Sequence, residues 1–204
     1  MDQITSNLYL SSIFQMKVGS KLKKNNIQHI LSILSRNVDE PTSGVAGKYD
    51  LADTMANTNT NYARRTYDSE FKKSTQNTKI LQHTSTNKSE NNITYKAFTT
   101  IADNPTTAPI LKQILPECLL FIHQARKNEE NVLVHCVAGR SRSASVVIAY
   151  LMTVTGENFE NIFEKVLAKR EIGPNSGYLE MLKGLDCGEY RELLRIGESD
   201  YELF

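Results

Sequence analysis

Apolar residues in this chain alternate between a spacing of two and a spacing of three to four, and each change of spacing marks an element. A short alternating stretch at 4–11, ITSNLYLS, flanked by Asn and Ser, predicts a strand. From Ile13 to about Asn26, Phe14, Val18 and Leu22 recur at every fourth position and predict a helix stripe, and QHILSIL at 28–34 then reads as a buried strand. ITYKAFTTI at 93–101 alternates as a further strand, followed by the loop DNPTTAP at 103–109, which Pro105 and Pro109 punctuate. Leu111, Ile114, Leu115, Cys118, Leu119, Ile122 and Ala125 outline one face of a helix ending near Lys127. Pro116 lies inside that pattern and is expected to kink the helix or restart it. NVLVHC at 131–136 has the β-branched character of a parallel strand buried on both faces. One helix follows through SVVIAYLMTV, a second over about 157–170 with Phe159, Ile162, Phe163, Val166 and Leu167 inward, and a third over about 176–195. Strands alternating with helices predict an α/β fold, a mostly parallel central sheet flanked by helices.

Between roughly Asp39 and Asn92 the pattern lapses. Asn, Thr and Ser crowd this segment and large aliphatic residues become scarce. It buries too little apolar area to offset the entropy lost on ordering about fifty residues. We therefore read a long polar insertion loop at about 40–92 that interrupts one domain of residues 1–200 without dividing it. A tolerated surface insertion explains it, and regulatory contacts through it are the functional alternative. A chain of 204 residues suits one well-buried domain.

Composition narrows the function classes. A formal net charge of +1 supplies no general field for gathering nucleic acid or anionic membrane, so no nucleic-acid partner is expected and any basic site is local. Cys118, Cys136 and Cys187 form no CxxC pair, and an odd count without a secretory signal suits a reducing compartment, the cytoplasm or also the nucleus. No apolar run approaches the roughly 20 residues of a transmembrane segment. His29, His83 and His123 lack ligand spacing, so neither a metal nor a cofactor is expected.

The sequence VHCVAGRSRSAS carries the chemistry. It sets a cysteine directly after a buried strand, then a loop containing Gly139, then Arg142 at a helix start. Backbone N–H groups of a tight loop opening into a helix N-terminus converge on one point, where an anion is favoured. Arg142 adds a planar fork able to grip two phosphate oxygens, which a lysine could not do. The same groups favour a thiolate on Cys136, which makes it a nucleophile.

HCVAGRSRS has the HCxxGxxRS form of the protein tyrosine phosphatase superfamily, and SASVVIAYLM resembles its dual-specificity branch. The resemblance covers roughly 1–36 and 93–185, and REIGPNSGYLEML is similar to the family's segment supporting the phosphate loop. It implies that Cys136 attacks phosphorus to form a phosphocysteine while Arg142 binds equatorial oxygens. Val137, Ala138, Gly139, Arg140, Ser141 and Arg142 would supply the amide cradle. His135 would order the loop and help hold the thiolate, and Ser143 would assist thiolate departure in the second half-reaction. The general acid is expected to be Asp103, about thirty residues before the cysteine, as no other acid lies between Ile93 and Pro116. Asn175 would brace the phosphate loop, although a turn role explains PNSG equally well.

The partners this resemblance implies are phosphorylated proteins, bearing phosphotyrosine and phosphoserine or phosphothreonine. A phosphoinositide or other phospholipid phosphatase is the alternative. Its motivation is Arg140, a basic residue at a position where lipid phosphatases carry one; against it, Val137 stands where those enzymes often have lysine. A phosphoprotein-binding module without activity is a weaker alternative, since Cys136, Arg142 and Asp103 are all retained. Cys118, on an apolar stripe, is read as packing, and Cys187 as a conceivable redox partner for Cys136.

Overall fold

The computed structural model of the protein describes residues 1–35, 84–88, 93–99 and 101–196. Its strands are β1 (Asp2–Thr5), β2 (Leu8–Ser12), β3 (Ile27–Ile33), β4 (Thr84–Lys88), β5 (Ile93–Phe98) and β6 (Asn131–Cys136). They form one sheet in the order β1-β2-β6-β3-β5-β4. The inner pairs β2 with β6, β6 with β3 and β3 with β5 are parallel, and the outer pairs β1 with β2 and β4 with β5 are antiparallel. This is the mostly parallel α/β sheet that the alternation of elements implies.

Helices α1 (Ile13–Met16) and α2 (Gly19–Lys24) cover one face. The helices α3 (Ala108–Lys127), α4 (Arg142–Thr155), α5 (Phe159–Lys169), α6 (Ser176–Lys183) and α7 (Cys187–Leu194) gather on the other. Period-two alternation decides which residue meets which layer. On β6, Val132 and Val134 join the larger core beneath α3 and α4, while Leu133 joins the smaller core with Ile13, Met16, Ile27 and Ile30. Burying each such side chain contributes roughly 1.5–3 kcal/mol, so the central strands are anchored from both sides. Among the described residues, no helix is long and apolar enough to cross a membrane.

Several elements depart from the sequence pattern. The first strand is a hairpin, β1 and β2, turning at Ser6 and Asn7 with Asn7 at φ 59°, a conformation asparagine tolerates. The helix drawn from Ile13 to Asn26 is two short helices. A capping box between Ser12 and Gln15 opens α1, and Val18 takes an extended conformation as N-cap of α2. The stripe turns accordingly: Ile13 and Met16 are buried, whereas Phe14 and Val18 are 55% and 41% exposed. Pro116 neither restarts nor ends α3, which runs unbroken through it. Proline there removes a bond to the carbonyl of Lys112, an exposed residue whose carbonyl solvent can serve. On α5, Phe159, Ile162 and Val166 are buried but Leu167 is 42% exposed. The last predicted helix divides at Gly184, and the Asp186 carboxylate caps α7 by accepting from Gly188 N at 2.9 Å.

The polar segment also holds a surprise. Thr84–Lys88, inside the stretch read as a loop, forms the sheet edge β4 and pairs with β5 from Thr84↔Ala97 to Lys88↔Ile93. An edge strand bonded through its backbone needs no alternating apolar residues, which is why TSTNK gave no signal. The remainder of the 40–92 expectation lies outside the described residues.

Candidate active site

Cys136 ends β6 at the centre of the sheet and is only 1% exposed. Its backbone is registered against Ser12 of β2. The chain then turns through Val137–Ser141 and enters α4 at Arg142. Gly139 sits at φ +71°, and a Cβ placed there would lie 2.3 Å from the carbonyl oxygen of Ser11. Glycine is therefore required twice over, by conformation and by space.

Each carbonyl of this loop is tied outward. That of Val137 accepts from Ile13 N at 3.1 Å, and that of Arg140 from Gly173 N at 2.9 Å. The carbonyls of Ala138 and Gly139 accept from Arg170 Nη2 at 3.0 Å and Nε at 2.8 Å. Ser141 O accepts from Ser145 N at 2.8 Å and from its hydroxyl at 2.9 Å. With the acceptors engaged outside, the amides are left for the interior: Gly139 N–H donates to Cys136 Sγ at 3.2 Å. The Ser143 hydroxyl, fully buried in the first turn of α4, donates to the same sulfur at 3.1 Å. The N-terminus of α4 and the Gly139 amide thus lie beside the sulfur, an arrangement suited to an oxyanion.

Arg142 flanks that floor, 5% exposed. Its Nη1 donates to Ile101 O at 3.0 Å, and its Nε lies 3.6 Å from Asp103 Oδ2 with no hydrogen bond among the described residues. A buried guanidinium N–H without an acceptor is costly unless an anion comes to it. Asp103 Oδ1 accepts from the Ser141 hydroxyl at 2.7 Å and from Asn175 Nδ2 at 3.0 Å, so the acidic loop is latched directly to the sulfur-bearing loop. Asn175 also caps α6, its Oδ1 accepting from Tyr178 N at 3.1 Å, while its own N donates to Ser141 Oγ at 3.3 Å.

The His135 ring bonds to Ser32 and to the Cys136 backbone. Its Nδ1 faces the Cys136 carbonyl at 3.3 Å, so that nitrogen carries the proton and Nε2 accepts from the Ser32 hydroxyl at 2.6 Å. Complete burial lowers its pKa to about 4, against a smaller upward pull from the Cys136 carbonyl. Near neutral pH the ring is uncharged and offers the sulfur no cation. What it gives is orientation, by bonding β6 to β3. Burial raises the thiols of Cys118, inside the larger core, and of half-buried Cys187 on α7.

Val137, 43% exposed, and Arg140 stand at the rim. Arg140 Nη2 donates to Glu171 Oε1 at 2.5 Å, with both side chains largely in solvent.

Sequence reasoning missed the second rank of residues. Arg170, Gly177 and Tyr178 all fall in REIGPNSGYLEML, whose resemblance to a supporting segment was the one available signal. Tyr178 OH donates to Ala102 O at 2.9 Å and lies 2.7 Å from Thr107 Oγ1, fixing the acidic loop from below. A Cβ at Gly177 would lie 2.2 Å from Pro105 O, so α6 and this loop touch backbone to backbone.

The family model described as the dual specificity phosphatase catalytic domain matches residues 8–186. Dual specificity protein phosphatase 15 of Rattus norvegicus is 41% identical over 104 residues, covering 50% of this chain and 43% of that protein. Dual specificity protein phosphatase 22 of Homo sapiens is 40% identical over 104 residues, covering 48% of this chain and 55% of that protein. The chain thus spans about half the length of the curated relatives it matches. Among solved structures, the crystal structure of DUSP15 is similar with a TM-score of 0.62 and 28% identity, covering 100% of this chain and 96% of that one. The Cydia pomonella PTP-2 phosphatase, at TM-score 0.59 and 18% identity over 90% of this chain and 88% of that one, shares the fold. A match that takes in β2, the loop after Cys136 and the helices behind it shows that the chain belongs to the dual specificity phosphatase family, through its catalytic domain.

Proposed function

We propose that the protein hydrolyses phosphate monoesters on proteins, at phosphotyrosine and at phosphoserine or phosphothreonine, through a phosphocysteine on Cys136. The observation that carries this reading is the sulfur of Cys136, buried at the floor of a loop with Gly139 N–H and the Ser143 hydroxyl both donating to it. Both donors stand where they can hold the sulfur as the S–P bond forms and breaks, and Arg142 brings its guanidinium to the same loop.

In the first step the Cys136 thiolate attacks phosphorus, forming the S–P bond as the ester P–O bond breaks. Asp103, held by Ser141 and Asn175, gives the leaving oxygen its proton. Arg142 and the amides of Val137 to Arg142 bind the three equatorial oxygens, so the catalysis is largely electrostatic. In the second step water attacks phosphorus, Asp103 takes a proton from it, and the thiolate departs while Ser143 donates to the sulfur. The products are the dephosphorylated side chain and inorganic phosphate.

Protein substrates are favoured over lipids because the relatives matched are dual specificity protein phosphatases and Val137 stands where lipid enzymes often have lysine. Phosphoprotein substrates imply a role in signalling, and a nucleophilic thiol implies a reducing compartment such as the cytoplasm. The test compares purified protein on matched phosphopeptides and phosphoinositide vesicles, with Cys136→Ser as control. Peptide turnover that Cys136→Ser abolishes is the expected result. Turnover surviving in Cys136→Ser removes the nucleophile, and hydrolysis of phosphoinositides alone moves the assignment to lipids.

A further inference from the structure

Of the four large apolar side chains that stand exposed among the described residues, three belong to the backbone around the Cys136 loop. Phe14 and Val18 flank the turn from α1 into α2, and Val137 follows the sulfur-bearing residue; the fourth, Leu167, is on α5. The join between α1 and the loop is direct. Ile13 N donates to Val137 O at 3.1 Å, so Phe14 is one residue from a hydrogen bond to the loop. Ile13 and Met16 take the buried places in the smaller core, with Leu22 packed against it, and this turns Phe14 and Val18 outward. One exposed apolar side chain is ordinary, but a group of them at the mouth of a site marks an interaction surface. The surroundings are basic. Lys17, Lys21, Lys23 and Lys24 are exposed, and no Asp or Glu occurs between Asp2 and Asp39. Lys21, Lys23 and Lys24 make no ion pair among the described residues.

We propose that Phe14, Val18 and the lysines of α2 form a docking surface for the substrate segment that leaves the phosphorylated residue across Val137, and that this surface selects an apolar residue followed by acidic ones. The inference rests on the protein phosphatase reading above and gives it a flanking-sequence preference. A phosphorylated side chain seated in the Cys136 loop leaves its main chain at the rim, and α1 is bonded to that rim. Phe14 and Val18 offer area to an apolar side chain, and the lysines beyond them offer charge to carboxylates. At 1.5 Å per residue α2 is roughly 9 Å long, the span of about three extended residues, so the acidic positions fall close to the phosphorylated one. An anionic membrane is the other surface that apolar and basic residues suit. It fits less well, because an interfacial helix presents a continuous apolar face, and here Ile13 and Met16 are buried in the smaller core.

The test measures kcat/KM on phosphotyrosyl peptides whose flanks are all Ala, or carry a Leu and then Asp residues on either the N-terminal or the C-terminal side. The proteins compared are the parent, Phe14→Ser, and the double variant Lys21→Glu with Lys23→Glu, with a small aryl phosphate as the reference substrate. One of the Leu-Asp peptides is expected to exceed the Ala peptide by about tenfold in the parent. Each variant is expected to lose most of that advantage while its aryl phosphate turnover stays within about twofold of the parent's. Added salt should shrink the preference in the parent and leave the lysine variant nearly unchanged. A parent without preference, or a preference that either variant keeps in full, overturns the proposal. Binding of the parent to phosphatidylserine vesicles that the same substitutions weaken, with no peptide preference, also overturns it and assigns the patch to a membrane. If neither peptides nor aryl phosphate are turned over, the phosphatase reading fails instead. Binding of the same peptides, fluorescently labelled, to Cys136→Ser with and without these substitutions then decides the docking proposal by the same comparison.

Discussion

Two titratable side chains near the Cys136 loop, Asp103 and His135, are each fixed by hydrogen bonds. In the proposed mechanism Asp103 gives up a proton, and its carboxylate is held by the Ser141 hydroxyl and the Asn175 amide. Replacing it by Asn keeps the size and much of the bonding while removing the proton. Asp103→Asn is expected to slow turnover by about 10² or more with poor leaving groups and much less with a good one. An equal effect across leaving groups in a steady-state series would assign the proton elsewhere. His135 works in the reverse sense, as a buried neutral ring. Its folded pKa of about 4 lies below the ordinary 6.5, so between these values the unfolded chain binds the additional proton. The stability it confers is complete above pH 6.5 and is lost as pH falls toward 4, by roughly 3 kcal/mol at about 1.4 kcal/mol per pH unit. Urea melts should show a smaller loss between these pH values in His135→Asn than in the parent. Parallel losses would mean that the ring is not buried neutral.

At the scale of elements, α6 adds to the direct Ser141–Asp103 bond a second tie between the acidic loop and the sulfur loop. Asn175 starts it and contacts both, and Gly177 lies against Pro105 with no room for a methyl group. Gly177→Ala should push Asp103 out of line and lower kcat by up to about 10², the penalty of a displacement near 1 Å, while tungstate affinity stays close to the parent's. Unchanged kcat would show that the loop absorbs the methyl group freely. Here the sequence and the fold part company in an instructive way. NVLVHC and the stripe of α3 were legible because burial alone dictates them, and the loop from Cys136 to Arg142 because its residues match the family's motif one by one. Phe14 and Val18 misled because a four-residue spacing says nothing about which side of a short helix meets the sheet; the Ser12 capping box and the break at Val18 settled that. Arg170 and Gly177 were silent since their importance lies in the carbonyls they touch, which come from distant parts of the chain.

For the molecule as a whole, the polar segment contributes at least one strand to the described sheet. β4 pairs with β5 and shields its outer edge. Deleting residues 45–80 should leave aryl phosphatase activity nearly intact. A deletion extended through Lys88 should lower solubility and the melting temperature, by leaving β5 as a bare edge; equal behaviour of the two deletions in a thermal melt would make β4 dispensable. The expectations about activity depend on one covalent event at the centre of the sheet. Acid-quenched enzyme, mixed briefly with an aryl phosphate, can be digested and analysed by mass spectrometry. The account predicts one phosphoryl group on the peptide bearing Cys136, carried on sulfur and absent from Cys136→Ser. Steady turnover with the phosphoryl group on another residue, or with no adduct trapped at any time point, would contradict it.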